Sequence, residues 1–402
     1  WAMSLMTPSV GIQGLAGAAL AVVVLKALER VLRERESMRW HCTWMKASYE
    51  EVPRFHVGEV GARAHLLEHG FVVFRNVASR DQCSNAVHLF WDWIEASSSA
   101  RRGQPETWGA DSWPETVEGG IMPYHGAGQS RAAWFLRGLP AVRQVFEQIW
   151  GPEAKAAGLI CSFDALCAWR DWRRTGRPEW RTETGWFHLD QNPLTKSRMC
   201  CVQGLVNLID TTEDVGGNVV VRGSHKLFPR YYLSHRRHRQ QAEAMQGDDW
   251  FALPRDDPVL QNLPLVTCAL EAGDMLLWDS RTLHCSSPSP LEHSPAPDTG
   301  LQGLSFPAAP FGLSRAVAFI TMLPFSHIPV SERKALVQRR IEAVNAGVTT
   351  THWPTKPEPL LLDYHQMVGT PEAEVKALLF SPRGACSFQE LEPPMVDLVQ
   401  GP

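Results

Sequence analysis

The sequence predicts one mainly β domain, a sandwich or jelly roll on a supporting layer of helices. After Gly158 the chain breaks into short runs rich in β-branched and aromatic residues, separated by turn signals. Before Gly158 the apolar residues recur at helical spacing behind recognisable caps. No internal repeat divides the 402 residues, so both textures belong to one fold.

Hydrophobic residues make up 44% and charged residues 20%, which supplies a core and excludes wholesale disorder. A net charge of −4 offers no broad basic surface, so nucleic acid is not an expected partner. Nine cysteines, with no CxxC pair and no framework spacing, exclude a structural zinc site and a secreted disulfide scaffold. Free thiols in a reducing compartment are expected, with Cys200 and Cys201 as packing residues. The 16 Trp are read as core or pocket wall.

Taken in order, residues 1–50 form an appendage. Ser9 to Leu25 is apolar except for Gln13, a length at the lower limit for a membrane span. Lys26, Arg30, Arg33 and Arg35 follow and favour a cytosolic flank. Residues 9–25 are therefore a candidate membrane anchor, the alternative being a Gly/Ala-rich helix that packs. The compact domain is expected over residues 51–347. Gly70 to Val77 (GFVVFRNV) reads as a strand. Ser79 and Gln82 form a capping box for a helix carrying Ala86, Leu89, Phe90, Trp93 and Ile94 on one face. A long loop over 98–130 precedes a helix opened by Pro140 and closed by Gly151. Strands are expected at Leu159–Phe163, Gly185–Asp190, Met199–Asp210, Asn218–Arg222, Asp274–Trp278, Thr282–Cys285 and Ala316–Leu323. A helix after Ser331 stops before Gly347, and 348–402, with Pro354, Pro357 and Pro359, reads as a surface-hugging tail.

The chemistry sits in Trp186-Phe187-His188-Leu189-Asp190. On a strand, residues two apart share a face, so His188 and Asp190 can address one cation. A lone HxD arises by chance, and His188 alone would read as a core histidine. His284, on a later strand, supplies the third corner of the two-histidine, one-carboxylate set of non-haem Fe(II) oxygenases. Arg315, immediately before the strand Ala316–Leu323, has the guanidinium fork that fixes a dicarboxylate's far end. Ser286 follows His284 on the same face and can donate to that carboxylate. Gln203 and Asn207 share a face with Cys201, and either reach the cosubstrate or satisfy each other. Asp164 is read as a turn or pocket residue, His235 and His238 as solvated helix surface.

These motifs resemble the phytanoyl-CoA dioxygenase family of Fe(II)/2-oxoglutarate oxygenases. The resemblance runs from Gly70 to Leu323 and rests on GFVVFRNV, WFHLDQNP, GGNVVVRGSHK, GDMLLWDSRTLHCSSP and the Arg315 strand. It implies a double-stranded β-helix, iron held by His188, Asp190 and His284, and 2-oxoglutarate held by Arg315 and Ser286. His225 in GSHK then serves structure. The implied reaction uses O2 to hydroxylate a small organic or lipid-like substrate, releasing succinate and CO2. Related halogenases lack the carboxylate that Asp190 provides, which points to hydroxylation. Trp186 and Phe187 are expected to shape the pocket. Two departures stand out. The His284–Arg315 interval carries an excess, 288–312, rich in Pro, Ser and Gly, that reads as an inserted loop and makes Arg281 a rival to Arg315. Asn218 and Arg222 stand where apolar residues and proline are commoner. The alternative reading is an inactive jelly-roll binding module.

Overall fold

A computed structural model describes residues 48–401 except 51, 118–119, 182–184, 212–214, 246–247, 287–311 and 381–382. The described residues belong to one compact unit, Ser48–Pro402. The appendage with its 9–25 stretch, and nearly all of the inserted loop, lie outside them. Among the described residues no helix is long and apolar enough to cross a membrane.

Among the described residues there are fifteen short strands. They begin with β1 (Ser48–Glu50), β2 (Arg54–Phe55), β3 (Phe71–Phe74), β4 (Ile121–Met122) and β5 (Leu159–Cys161). Next come β6 (Leu166–Arg170), β7 (His188–Leu189), β8 (Val202–Asn207), β9 (Asn218–Val221) and β10 (Phe251–Ala252). The last are β11 (Leu265–Cys268), β12 (Met275–Asp279), β13 (His284–Ser286), β14 (Leu313–Phe319) and β15 (Met322–Pro324). A six-stranded sheet orders them β1-β11-β9-β13-β7-β10, and a seven-stranded sheet β2-β3-β12-β8-β14-β6-β4.

Strand periodicity decides what lies between the sheets. Leu205, Leu276, Trp278 and Val317 of the larger sheet meet Val220 and Val266 of the smaller one in a shared inner cluster. Their neighbours Val206, Met275, Leu277, Ala316 and Ala318 point the other way, onto Phe90, Trp93, Val142 and Phe146 of the helices. The result is the double-stranded β-helix with helices packed on the outer face of the larger sheet.

The helix Arg80–Ser97 starts as its sequence dictates. Ser79 Oγ accepts from Gln82 N at 3.1 Å, and Gln82 Oε1 accepts from Ser79 N at 2.8 Å. Gly70 opens β3 with φ 87°, and a Cβ there would lie 2.6 Å from His225 Nδ1 and Thr282 Oγ1. That close approach needs glycine. It also explains His225, which is buried against this turn and bonds to Leu67 O at 3.0 Å, away from the metal ligands.

Several expectations need correction. The helix Arg131–Arg137, capped by Ser130, falls outside every sequence assignment because it is buried nearly all round and has no amphipathic stripe. The 98–130 loop contains β4 and two helical turns, Pro105–Thr107 and Ala127–Gln129. β6 and β11 were not anticipated; both are short, largely buried runs, Leu-Cys-Ala-Trp-Arg and Leu-Val-Thr-Cys, without regular alternation. Arg315 lies inside β14 rather than before it, because the strand continues through an irregularity between Leu313 and Arg315.

Residues 348–401 also fold back instead of skirting the surface. Arg340, in the helix Val330–Asn345, is buried and donates to Val399 O at 2.8 Å, Leu398 O at 2.8 Å and Cys161 O at 2.7 Å. One guanidinium thus joins the helix Pro393–Gln400 to β5, and burial lowers its pKa to about 10. Arg340→Met is expected to destabilise the fold by roughly 3–5 kcal/mol, because buried carbonyls lose their donors. Urea unfolding should show a lowered midpoint at unchanged slope.

Candidate metal centre

β7 is only two residues long, yet it is held from both sides. His188 pairs with Ala252 of β10 and, directly opposite, with His284 of β13. Side chains of directly opposed residues in an antiparallel pair project from the same face. The two imidazoles therefore lie side by side, with centroids 4.3 Å apart. Asp190 follows the strand, its N–H donating to Ser280 O at 3.1 Å, so its carboxylate joins the same face. Asp190 Oδ1 is 3.4 Å from His188 Nε2, and Oδ2 is 3.1 Å from His284 Nε2.

Each histidine is oriented by its other nitrogen. His188 Nδ1 donates to Trp186 O at 3.0 Å and His284 Nδ1 to Thr282 O at 3.0 Å, which leaves both Nε2 lone pairs inward. Gln203 Nε2 donates to Asp190 Oδ2 at 2.8 Å. From the C-terminal segment, His352 Nε2 reaches Asp190 O at 3.1 Å. Burial opposes ionisation of Asp190, but the imidazoles of His188 and His284 outweigh it and hold the carboxyl well below its usual range. Burial, aided by His188, lowers the pKa of His284. An ionised Asp190 and a neutral His284 are the forms in which these two side chains bind a metal.

The donor set fits a divalent transition metal. Adjacent corners of an octahedron with bonds of about 2.1 Å lie about 3 Å apart. The two separations, 3.4 and 3.1 Å, match such an edge. His188, Asp190 and His284 are the one cluster of this kind among the described residues, and all three are buried. Two imidazoles and one carboxylate form the facial set characteristic of non-haem Fe(II) oxygenases. Trp186 stacks on His188 at 5.0 Å and 15°, Trp250 tilts against the same ring at 5.9 Å, and Trp278 lies 5.1 Å from His284. Phe187 is fully buried, so of the two anticipated wall residues Trp186 is the one beside the ligands.

Arg315 faces the interior from the opposite sheet, two residues from Val317. Its guanidinium carbon is 4.2 Å from the Trp169 ring centroid. Buried Nε and Nη1 have no hydrogen-bond partner among the described residues. Burial lowers its pKa to about 10, so it stays cationic at neutral pH. A buried cation lacking acceptors is costly and calls for an anion. Arg281, the rival, is bound to Asp279 through Nε at 2.9 Å and Nη2 at 2.6 Å. Ser286 sits on the face of His284, opposite Asn218 in the ladder.

Other assignments change. Asn207 is consumed by structure: Nδ2 donates to Ile209 O, Leu270 O and Glu271 O at 2.7, 3.2 and 3.2 Å, and Oδ1 accepts from Thr211 Oγ1 at 3.1 Å. His238 is buried rather than solvated, with Nε2 2.9 Å from Asp257 Oδ2, whereas His235 is exposed. Asp164 is a buried carboxyl whose pKa burial raises to about 7. Sequence reasoning missed His352, which no local pattern marks.

A double-stranded β-helix with a two-histidine, one-carboxylate centre and an unmatched buried arginine defines a class of mononuclear metalloprotein. Within it, the chain belongs to the phytanoyl-CoA dioxygenase (PhyH) family, whose model matches residues 66–290. A curated relative, Ava biosynthesis cluster protein O of Aspergillus versicolor, is 27% identical over 246 residues, 60% of this chain and 76% of that protein. Among solved structures, the hypothetical protein JW0805 of Escherichia coli is similar with a TM-score of 0.50 and 12% identity, covering 93% of this chain and 92% of that one. The non-heme alpha-ketoglutarate-dependent carbocyclase SnoK of nogalamycin biosynthesis gives a TM-score of 0.42 and 16% identity, over 66% and 83% of the two chains.

Proposed function

We propose that the protein is an Fe(II)- and 2-oxoglutarate-dependent dioxygenase that hydroxylates a small organic or lipid-like substrate. The observation that carries this reading is the pairing, in one interior, of a facial metal-binding triad with a buried arginine whose Nε and Nη1 have no acceptor among the described residues. His188, Asp190 and His284 would hold the iron, and Arg315 with Ser286 would hold the far carboxylate of 2-oxoglutarate. Together the bound metal and cosubstrate supply O2 activation and oxidation of a substrate C–H bond, with succinate and CO2 as coproducts.

The chain's own residues orient and enclose. Gln203 and His352 fix the Asp190 side chain and backbone, so its carboxylate keeps one corner of the centre filled. That filled corner supports hydroxylation over halide transfer. Trp186 and Trp278 shield the imidazoles from water, while half-exposed Trp250 offers an apolar surface at the rim. The biosynthesis cluster in the name of the Aspergillus versicolor relative accords with a small-molecule substrate.

Anaerobic addition of Fe(II) and 2-oxoglutarate to the full-length protein is expected to produce the visible charge-transfer band of chelated cosubstrate. Admitting O2 should bleach it with release of succinate. Folded protein that gives no band would displace this reading with that of a jelly-roll binding module lacking turnover.

A further inference from the structure

One polar residue between the sheets has no role in the scheme above. Asn218 opens β9, and Val220, two residues on, belongs to the inner cluster with Val317 and Trp169. By strand alternation Asn218 faces the same interior. In the ladder His284 lies opposite Val220, and Ser286 lies opposite Asn218. The metal ligand and the Ser286–Asn218 pair are therefore consecutive rungs on one face, separated by a single strand period. From the facing sheet Arg315 presents its unmatched Nε and Nη1. Asn218 is 6% exposed, and its Oδ1 also has no partner among the described residues.

An amide oxygen enclosed without a donor is disfavoured against a hydrocarbon of equal size. The two ends of that group are near-equal in volume, so a half-turn presents Nδ2 where Oδ1 now lies. A ligand carrying an anionic oxygen between the sheets would then be met by two donors from opposite sides. We propose that Asn218 is a further positioning residue for the distal carboxylate of the cosubstrate, donating to it alongside Arg315 and Ser286. The inference rests on the 2-oxoglutarate reading and adds a residue to it.

The test is calorimetric titration of the full-length Mn(II)-loaded protein with 2-oxoglutarate and with pyruvate, which has the same chelating end but no distal carboxylate. Asn218→Leu and the smaller Asn218→Ala are each expected to weaken 2-oxoglutarate binding about tenfold and leave pyruvate unchanged. Asn218→Asp should weaken 2-oxoglutarate much further, because it sets carboxylate against carboxylate. Unchanged 2-oxoglutarate affinity in the folded Leu or Ala variant would overturn the assignment, as would equal losses for both acids. Wild-type protein that binds pyruvate or metal but not 2-oxoglutarate would instead overturn the functional reading and this inference with it.

Discussion

Asp190→Ala is expected to lower iron affinity far beyond the roughly 10–100-fold that loss of a supporting partner costs, and to bring turnover to background. Asp190 is the only anion among the three ligands, and its carboxylate is drawn toward both His188 and His284. Without it, two neutral imidazoles 4.3 Å apart must hold a dication in a buried site. Gln203 Nε2 also loses its closest acceptor, since its remaining contact, Ser280 Oγ, is 3.4 Å away. Metal content after dialysis and a calorimetric Mn(II) titration measure the effect without requiring turnover. Retention of wild-type metal affinity in the variant would place the centre elsewhere.

The triad was legible because its logic is local. Period-two alternation puts His188 and Asp190 on one face, and a later strand carrying His284 needs only to pair with theirs. Arg315 could be found by position, but not its setting. Its strand extends through an irregularity that no residue pattern marks, and its isolation depends on Trp169, far away in sequence. His352 meets Asp190 across 162 positions, and His238 meets Asp257 from within an arginine-rich run that reads as solvent-facing. Such partners are fixed by chain return, which composition cannot register. The helix Arg131–Arg137 failed for the opposite reason: burial on nearly every side erases the stripe that announces an amphipathic helix. The misread tail follows from the same limit, since its anchor is Arg340, a residue that looks like ordinary helix surface in sequence.

Those two buried arginines give opposite expectations, which makes Arg315 the sharper test. Arg340 is saturated by backbone carbonyls, so its loss should cost stability whatever the ligand state. Arg315 has two nitrogens without acceptors among the described residues, so the apoprotein gains little from it. Arg315→Met should melt at or above the wild-type temperature without cosubstrate, because an unmatched buried charge gives way to hydrocarbon. The same variant should bind 2-oxoglutarate about 100-fold more weakly, on the scale of truncating one partner of a buried charge pair. Arg315→Lys should recover only part of that affinity, since ammonium keeps the charge but not the planar fork. Pyruvate, held only at its oxo-acid end, should bind all three proteins alike. A variant destabilised like Arg340→Met, with pyruvate and 2-oxoglutarate weakened equally, would show instead that Arg315 holds the sheets together and that the cosubstrate anion is met elsewhere.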